Sequence, residues 1–272
     1  MLRASLKDGA LIAAALGFVL FATAPLAWMA MGAFKTTAGL IAIPPVWPDF
    51  GYFDNFANLL RDNGRFLVNS LVVTLSATIL AMVFSVPTAF GLVNFRMRGA
   101  NALADWILST RMMPPIAAAV PLFVIFRTVG LLDNVLSLII AYAGFNIPFA
   151  VWVSMSFMRR VPKEVLEAAR MDGCTWFDLL LRMALPLSLS GLVTVATFVF
   201  IFSWNEFLLA LFLTSRDART FPVVVSSFVG TGKVYWDLIA AASLIQIIPP
   251  VVFTLFMQRH IVAGLTMGAV KD

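Results

Sequence analysis

The segment RRVPKEVLEAARMDGCTWFDLLLRMALP, residues 159–186, decides how the rest of this chain is read. Pro162 suits the first turn of a helix, where its missing N–H costs little. Glu164 in that turn complements the helix dipole. KEVLEAARM is strong helix-forming sequence. Gly173 stands where a residue with left-handed backbone ends a helix. Thr175 and Asp178 form a T-x-x-D pair that starts a second helix, which runs through WFDLLLRMAL to Pro186. The segment predicts a helix–glycine–helix hairpin. Ala168 and Ala169 leave part of its first helix with little bulk, so a partner can approach closely. Glu167, Arg170 and Asp172 surround that patch with charge able to orient a contact. The residues taken alone also fit a simple solvated helical loop.

Outward from the hairpin the chain is apolar. Of 272 residues, 61% are hydrophobic and 12% charged, against about a quarter charged in an ordinary soluble domain. Runs of 18 or more apolar residues recur, and each is a candidate membrane helix. They do not alternate, as barrel strands would. The class is an all-α polytopic membrane protein with about six transmembrane helices. The expected spans are roughly 9–33, 66–92, a third ending near Phe126, 135–158, 187–213 and 237–257. The first is too long for a signal peptide's apolar region. The third has only a short clean run, Met112–Phe126, so it must extend back through ADWILSTR. That places Asp105 and Arg111 near the headgroups, with Pro114, Pro115 and Pro121 bending the helix. Residues 35–65 read as an ordered loop outside the membrane. The organisation expected is a first helix and outer loop (1–65), a transmembrane core (66–258) containing the hairpin, and a tail (259–272).

An even number of spans puts both termini on one side, and the basic residues choose the side. With the termini cytoplasmic, inner segments hold Arg3, Lys7, Arg96, Arg98, Arg111, Arg159, Arg160, Lys163, Arg170, Arg182, Arg259 and Lys271. Outer segments hold Lys35, Arg61, Arg65, Arg127, Arg216, Arg219 and Lys233. Twelve against seven favours termini inside, which puts the hairpin in the cytoplasm. The net charge of +5 therefore points to basic inner loops rather than to nucleic acid.

One cysteine, Cys174, and one histidine, His260, leave a structural zinc site without its usual ligands. GTGKV (230–234) is a poor phosphate loop, because Ser227 stands where glycine is needed and Val234 where Ser or Thr is needed. Within FSWNEFLLALF, Glu206 is an acidic group in an apolar helix, a functional-site candidate by default. Asn205 adjoins it, and Trp204 offers a ring for a sugar to stack on. A capping or pairing role for Glu206 near the outer headgroups is equally open. Gly264 and Gly268 lie beyond the last expected helix and read as part of a turn-forming tail.

The spacing E-A-A, three residues, Gly, then nine residues to MALP resembles the signature loop of ABC-transporter permeases, E-A-A-x3-G-x9-I-x-L-P. Glu167, Ala168, Ala169, Gly173, Leu185 and Pro186 match it, and Met183 replaces the usual Ile. RMMPPIAAAVPLFVIFRTVGLLDN, SWNEF at 203–207 and VAGLTMGAVKD extend the likeness along the chain, toward the shorter permease of the carbohydrate-uptake branch. The resemblance implies a type I ABC importer permease fold in a bacterial inner membrane. It implies a second permease subunit, two ATP-binding ATPase subunits and an outer solute-binding protein as partners. It implies that Glu167, Ala168, Ala169, Arg170, Asp172 and Gly173, with Leu185 and Pro186, dock on an ATPase. ATP and magnesium would be bound there, with no cofactor and no catalysis in this chain. An ion-coupled secondary transporter, a membrane-embedded enzyme and a permease for a non-sugar solute are the competing readings.

Overall fold

The computed structural model describes residues 2–44, 46–95, 97–230 and 233–266, with side chains from 11 to 258. The helices are α1 (Leu2–Ala33), α2 (Thr37–Ile41), α3 (Asp54–Asn94), α4 (Ala100–Thr110), α5 (Pro115–Thr128), α6 (Val135–Met158), α7 (Lys163–Met171), α8 (Trp176–Asp178), α9 (Leu185–Leu187), α10 (Leu189–Trp204), α11 (Leu208–Leu213), α12 (Phe221–Ser227) and α13 (Trp236–Thr266). A π-helical stretch, Leu179–Ala184, joins α8 to α9. The β-structure among the described residues is one isolated bridge, Val229 to Val234. Thr231 and Gly232, in the rejected phosphate-loop candidate, lie outside the described residues.

Four helices are long and apolar enough to cross a membrane alone, within α1, α3, α6 and α13. Two more spans arise if bent pairs count as one each: α4 with α5, bent by 84°, and α8–α9 with α10, bent by 83°. Counted so, the chain has up to six spans, in the order expected. The details differ where backbone chemistry overrides hydropathy. α3 begins at Asp54 rather than near Phe66, with the Asp54 carboxylate in its first turn complementing the helix dipole. The third span breaks outright at Thr110–Pro115, since two prolines remove the hydrogen bonds that would carry a helix through. The fifth bends at Ser188, and the helix expected to run on to Leu213 ends at Trp204, with the short α11 following. The last helix continues to Thr266, so Gly264 lies on a helix rather than in a turn, and Gly268 falls outside the described residues.

The chain forms two compact units. In the first, residues 1–64 and 225–248, the membrane window of α1 buries nothing within the chain. Its exposed Leu11, Phe18, Phe21 and Trp28 suit a hydrocarbon surrounding. The Asn55 amide donates to the carbonyls of Ala33 and Lys35, at and just past the end of α1.

The second unit, residues 65–224 and 249–272, is built around α6, which packs against α4, α10 and α11. Small residues line its contacts: Ala77 and Ala81 from α3 and Ala141, Ala143 and Ala150 from α6 are at most 4% exposed. Without a hydrophobic driving force in lipid, such close backbone approach is what holds membrane helices together. Some buried hydroxyls are satisfied within their own helices, as Thr78 donates to Thr74 O at 2.7 Å and Thr197 to Val193 O at 2.9 Å.

The α5–α6 turn carries a feature the sequence reading passed over. Asp133 has a left-handed backbone (φ 54°), which Asp tolerates better than most residues. Its carboxylate accepts the backbone N–H groups of Ser215, Arg216, Asp217 and Ala218 at 3.0–3.1 Å, and the Ser215 hydroxyl at 2.9 Å. Asn69 holds the same loop by donating to the carbonyls of Asp217 and Arg219. Burial alone would push the Asp133 carboxyl up, but the N–H groups of Ala218, Asp217 and Ser215 outweigh it and hold the carboxyl well below the usual range. The stability this adds is therefore present above the unfolded value of about 4 and is lost as pH falls toward the lower folded value. Asp133→Asn is expected to cost about 1–2 kcal/mol at pH 7, discounted for partial exposure. Melting curves of the two proteins in detergent should differ by a few degrees at pH 7 and begin to converge only below about pH 4, as pH falls toward the folded value. A difference independent of pH would remove the carboxylate clamp.

Candidate functional site

The hairpin forms as its residues predict. α7 starts after Pro162 and carries Glu164 in its first turn. Its end is a complete Schellman motif. Gly173 has φ 87°, its N–H reaches Arg170 O at 3.0 Å, and the Cys174 N–H reaches Ala169 O at 3.1 Å. Thr175 and Asp178 make a reciprocal capping box that opens α8. The Thr175 hydroxyl, its backbone N–H and the nearby Arg182 hold the Asp178 carboxyl below its ordinary range.

Between α8 and α9 the helix widens into its π-helical stretch. Pro186 accounts for it. In an α-helix the proline ring would clash with the carbonyl of Arg182, four residues back. Shifting the ladder to five-residue spacing, with the Leu185 N–H on Leu180 O, relieves that contact. The nine-residue spacing from Gly173 to the proline region thus contains a structural device that residue types did not disclose.

The faces of α7 divide sharply. Leu166 and Ala169 are buried, packed with Leu179, Leu180 and Ala184 of the following helix and Met158 of α6. Glu167, Ala168 and Arg170 are exposed, and Met171 is 89% exposed. The two alanines therefore differ from expectation. Ala168 presents the small outer patch, whereas Ala169 lets α7 lie close on its own subunit. Leu185 packs against the same cluster and Pro186 is exposed. Cys174 is half-buried beside it.

A groove of about 600 Å³ runs beside this face, lined by Val93, Asn94 and Phe95 at the end of α3 and by Lys163, Leu166, Glu167, Arg170 and Trp176. Trp176 is held among aromatic and basic neighbours. Its ring meets Phe95 edge-on at 4.7 Å and Phe90 at 6.4 Å, and the Arg170 guanidinium lies 4.0 Å from its centroid. The hairpin is tied through these rings to α3.

The second set of candidates lies at the α10–α11 break. Trp204 is 1% exposed and stacks with Phe200, which stacks on Phe253 at 4.1 Å. This corrects the expectation that it offers a ring to a solute, because both its size and its apolar surface are spent on internal packing. Asn205 is exposed and donates to Ile201 O at 2.8 Å. Glu206 is partly buried, and its carboxylate accepts the N–H groups of Leu209 and Ala210, capping the short α11. The Tyr142 hydroxyl reaches the Glu206 backbone carbonyl at 3.4 Å.

Arg111 also departs from expectation. It does not sit at the headgroups but reaches from the α4–α5 break to the Phe145 carbonyl and to Asn146 Oδ1. Asn146 is the twelfth of α6's 24 residues, about 18 Å from either end at 1.5 Å per residue. Removing Arg111 from the inner set leaves eleven basic residues against seven, and the bias is unchanged in direction. The described residues hold no cluster of His, Cys, Asp and Glu suited to a metal ion.

Comparison with known proteins follows the same lines. Residues 81–267 match the family described as "Binding-protein-dependent transport system inner membrane component". The chain is 36% identical over 256 residues to the trehalose transport system permease protein SugB of Mycobacterium tuberculosis, covering 92% of this chain and 93% of that one. It is 30% identical over 272 residues to the trehalose/maltose transport system permease protein MalG of Thermococcus litoralis, covering 98% of each. Among solved structures, a chain of a bacterial ABC transporter that imports the acidic polysaccharide alginate superposes with a TM-score of 0.76 at 22% identity, over 94% of this chain and 97% of that one. A chain of the MetNI methionine ABC transporter gives 0.62 at 18% identity, over 77% and 97%.

Proposed function

Since the chain belongs to the binding-protein-dependent transport system inner membrane components, we propose that it forms half of the path of an ATP-driven importer for a sugar or sugar derivative. It works with its termini in the cytoplasm, beside a second permease subunit. Two ATPase subunits bind ATP and magnesium, and an outer solute-binding protein delivers the solute. This chain hydrolyses nothing itself. The observation that carries the reading is the exposed face of α7 at Glu167, Ala168, Arg170 and Met171, beside an open groove and closed by Gly173. A charged, small-surfaced helix with its other face packed into the subunit is suited to receive a push from a soluble partner. Ala169, Leu185 and the ring cluster around Trp176 pass that displacement to α3 and α10, while Asp172 and Pro186 border the contact. The sugar class rests on relatives named for trehalose, maltose and diacetylchitobiose. The outer partner rests on an importer solved with its pentasaccharide-bound periplasmic protein.

The test is a copurification. The chain with its second permease should retain the ATPase on an affinity column, and a variant with Ala168→Trp should lose it. Retention with bulk at Ala168 would move the docking face elsewhere. Asn205 and Glu206 are proposed to border the path. Glu206→Gln keeps one acceptor for the α11 N–H groups but removes the charge. It is expected to lower uptake several-fold while assembly and ATPase retention persist; uptake at the parent rate would reduce Glu206 to a cap.

A further inference from the structure

Arg111 is a charged side chain at mid-depth in the bundle, and its surroundings are built to hold it still. Its Nη1 donates to the Phe145 carbonyl and, at 2.9 Å, to Asn146 Oδ1. Asn146 is 4% exposed. Both hydrogens of its amide are spent, on Tyr142 O at 2.9 Å and on Ser203 Oγ at 3.0 Å, so its oxygen is left to face the arginine. The guanidinium carbon lies 5.0 Å from the centroid of the Phe202 ring. Residues from α6 and α10 thus fix one edge of the guanidinium from two sides.

The other edge is uncommitted. Among the described residues, Nε and Nη2 have no acceptor and no carboxylate pairs with Arg111. The side chain is only half-buried, and Met112 beside it is 83% exposed. A guanidinium facing hydrocarbon at mid-depth is among the costliest arrangements a membrane protein can adopt. Broken helices at such depth are tolerated where they line a water-filled cavity or are covered by protein, and Arg111 sits at the break between α4 and α5.

We propose that Arg111 faces the aqueous translocation path and presents Nε and Nη2 as a fixed pair of donors to the oxygen atoms of the passing solute. The planar fork suits vicinal hydroxyls or a carboxylate. This subsite rests on the reading of the chain as an importer subunit.

The path assignment can be tested without knowing the solute. Cys174 is the only native cysteine, so Cys174→Ser gives a silent background for Met112→Cys, which leaves Arg111 in place. The assembled transporter is treated with a membrane-impermeant cationic thiosulfonate. The expected result is modification in the nucleotide-free state and at least tenfold slower modification after trapping with ATP and vanadate. Modification only by a lipid-soluble maleimide places the residue against lipid, and modification by neither reagent places it in a sealed seam; either overturns the proposal. Trehalose, maltose and glucuronate at millimolar concentration then serve as probes. At least one should slow the modification in the Met112→Cys background and fail to do so when Arg111→Gln is added. Protection by none, or equal protection without the arginine, overturns the subsite. ATP-driven uptake by the Cys174→Ser parent is measured in parallel, so that loss of the importer reading is seen separately from loss of the subsite.

Discussion

Glu167→Arg is expected to abolish ATP-driven uptake while leaving the chain folded in the membrane. Glu167 is exposed on α7, so reversing its charge costs the fold only about 0.5 kcal/mol or less. A docked charge meeting the wrong sign costs far more, about 2–5 kcal/mol, or roughly 30-fold to several thousandfold in affinity. The variant should insert and pair with its second permease as the parent does, yet fail to retain the ATPase, with uptake down by about two orders of magnitude or more. Glu164→Arg is a useful comparison, because Glu164 lies in the first turn of α7 and does not line the groove. It should weaken helix capping slightly and leave most uptake intact. Normal retention and normal uptake in Glu167→Arg would end the docking assignment.

Gly191→Leu is expected to be the most damaging single change to the fold. A Cβ placed on Gly191 would lie 2.0–2.6 Å from three ring atoms of Phe157, closer than side chains approach. The ring cannot yield easily, because Phe157 sits at the α6–α10 contact on which the second unit is built. Even alanine here should cost about 1–3 kcal/mol, in line with overpacked cores, and the three further carbons of leucine should prevent α10 from docking on α6. Size-exclusion profiles in detergent should show a monodisperse peak for the parent, a reduced one for Gly191→Ala and none for Gly191→Leu. Combining Gly191→Ala with Phe157→Ala should recover much of the peak. An unchanged profile for the leucine variant would mean that α6 and α10 do not pack as described.

These outcomes separate what local sequence carries from what it cannot. The span Val135–Met158 was legible because a mostly apolar run lies between the Asn134 cap and Arg159. The end of α7 was legible because Gly173 is the natural residue for a positive φ, and the start of α8 because Thr175 and Asp178 cap each other across three residues. The misplaced features depend on partners far away in the chain. Arg111 read as a headgroup residue because its partners, Phe145 and Asn146, lie 34 and 35 positions away. Asp133 drew no notice because the loop it holds begins 82 positions later. Trp204 looked available because its burial, with its ring stacked on Phe200 and that ring in turn on the distant Phe253, is set by tertiary packing. Glu206 was left open between path and cap, and its bonds to Leu209 and Ala210 add the capping role without removing the other.

The central claim is that motion of the α7 hairpin, driven by ATP in a separate subunit, moves solute through this chain. The most direct measurement is uptake into proteoliposomes containing the assembled transporter and its binding protein, with ATP enclosed on the hairpin side. Uptake should require that ATP, stop on addition of vanadate, and vanish with Glu167→Arg. Uptake that persists without ATP on an ion gradient, or that ignores vanadate, would contradict the account.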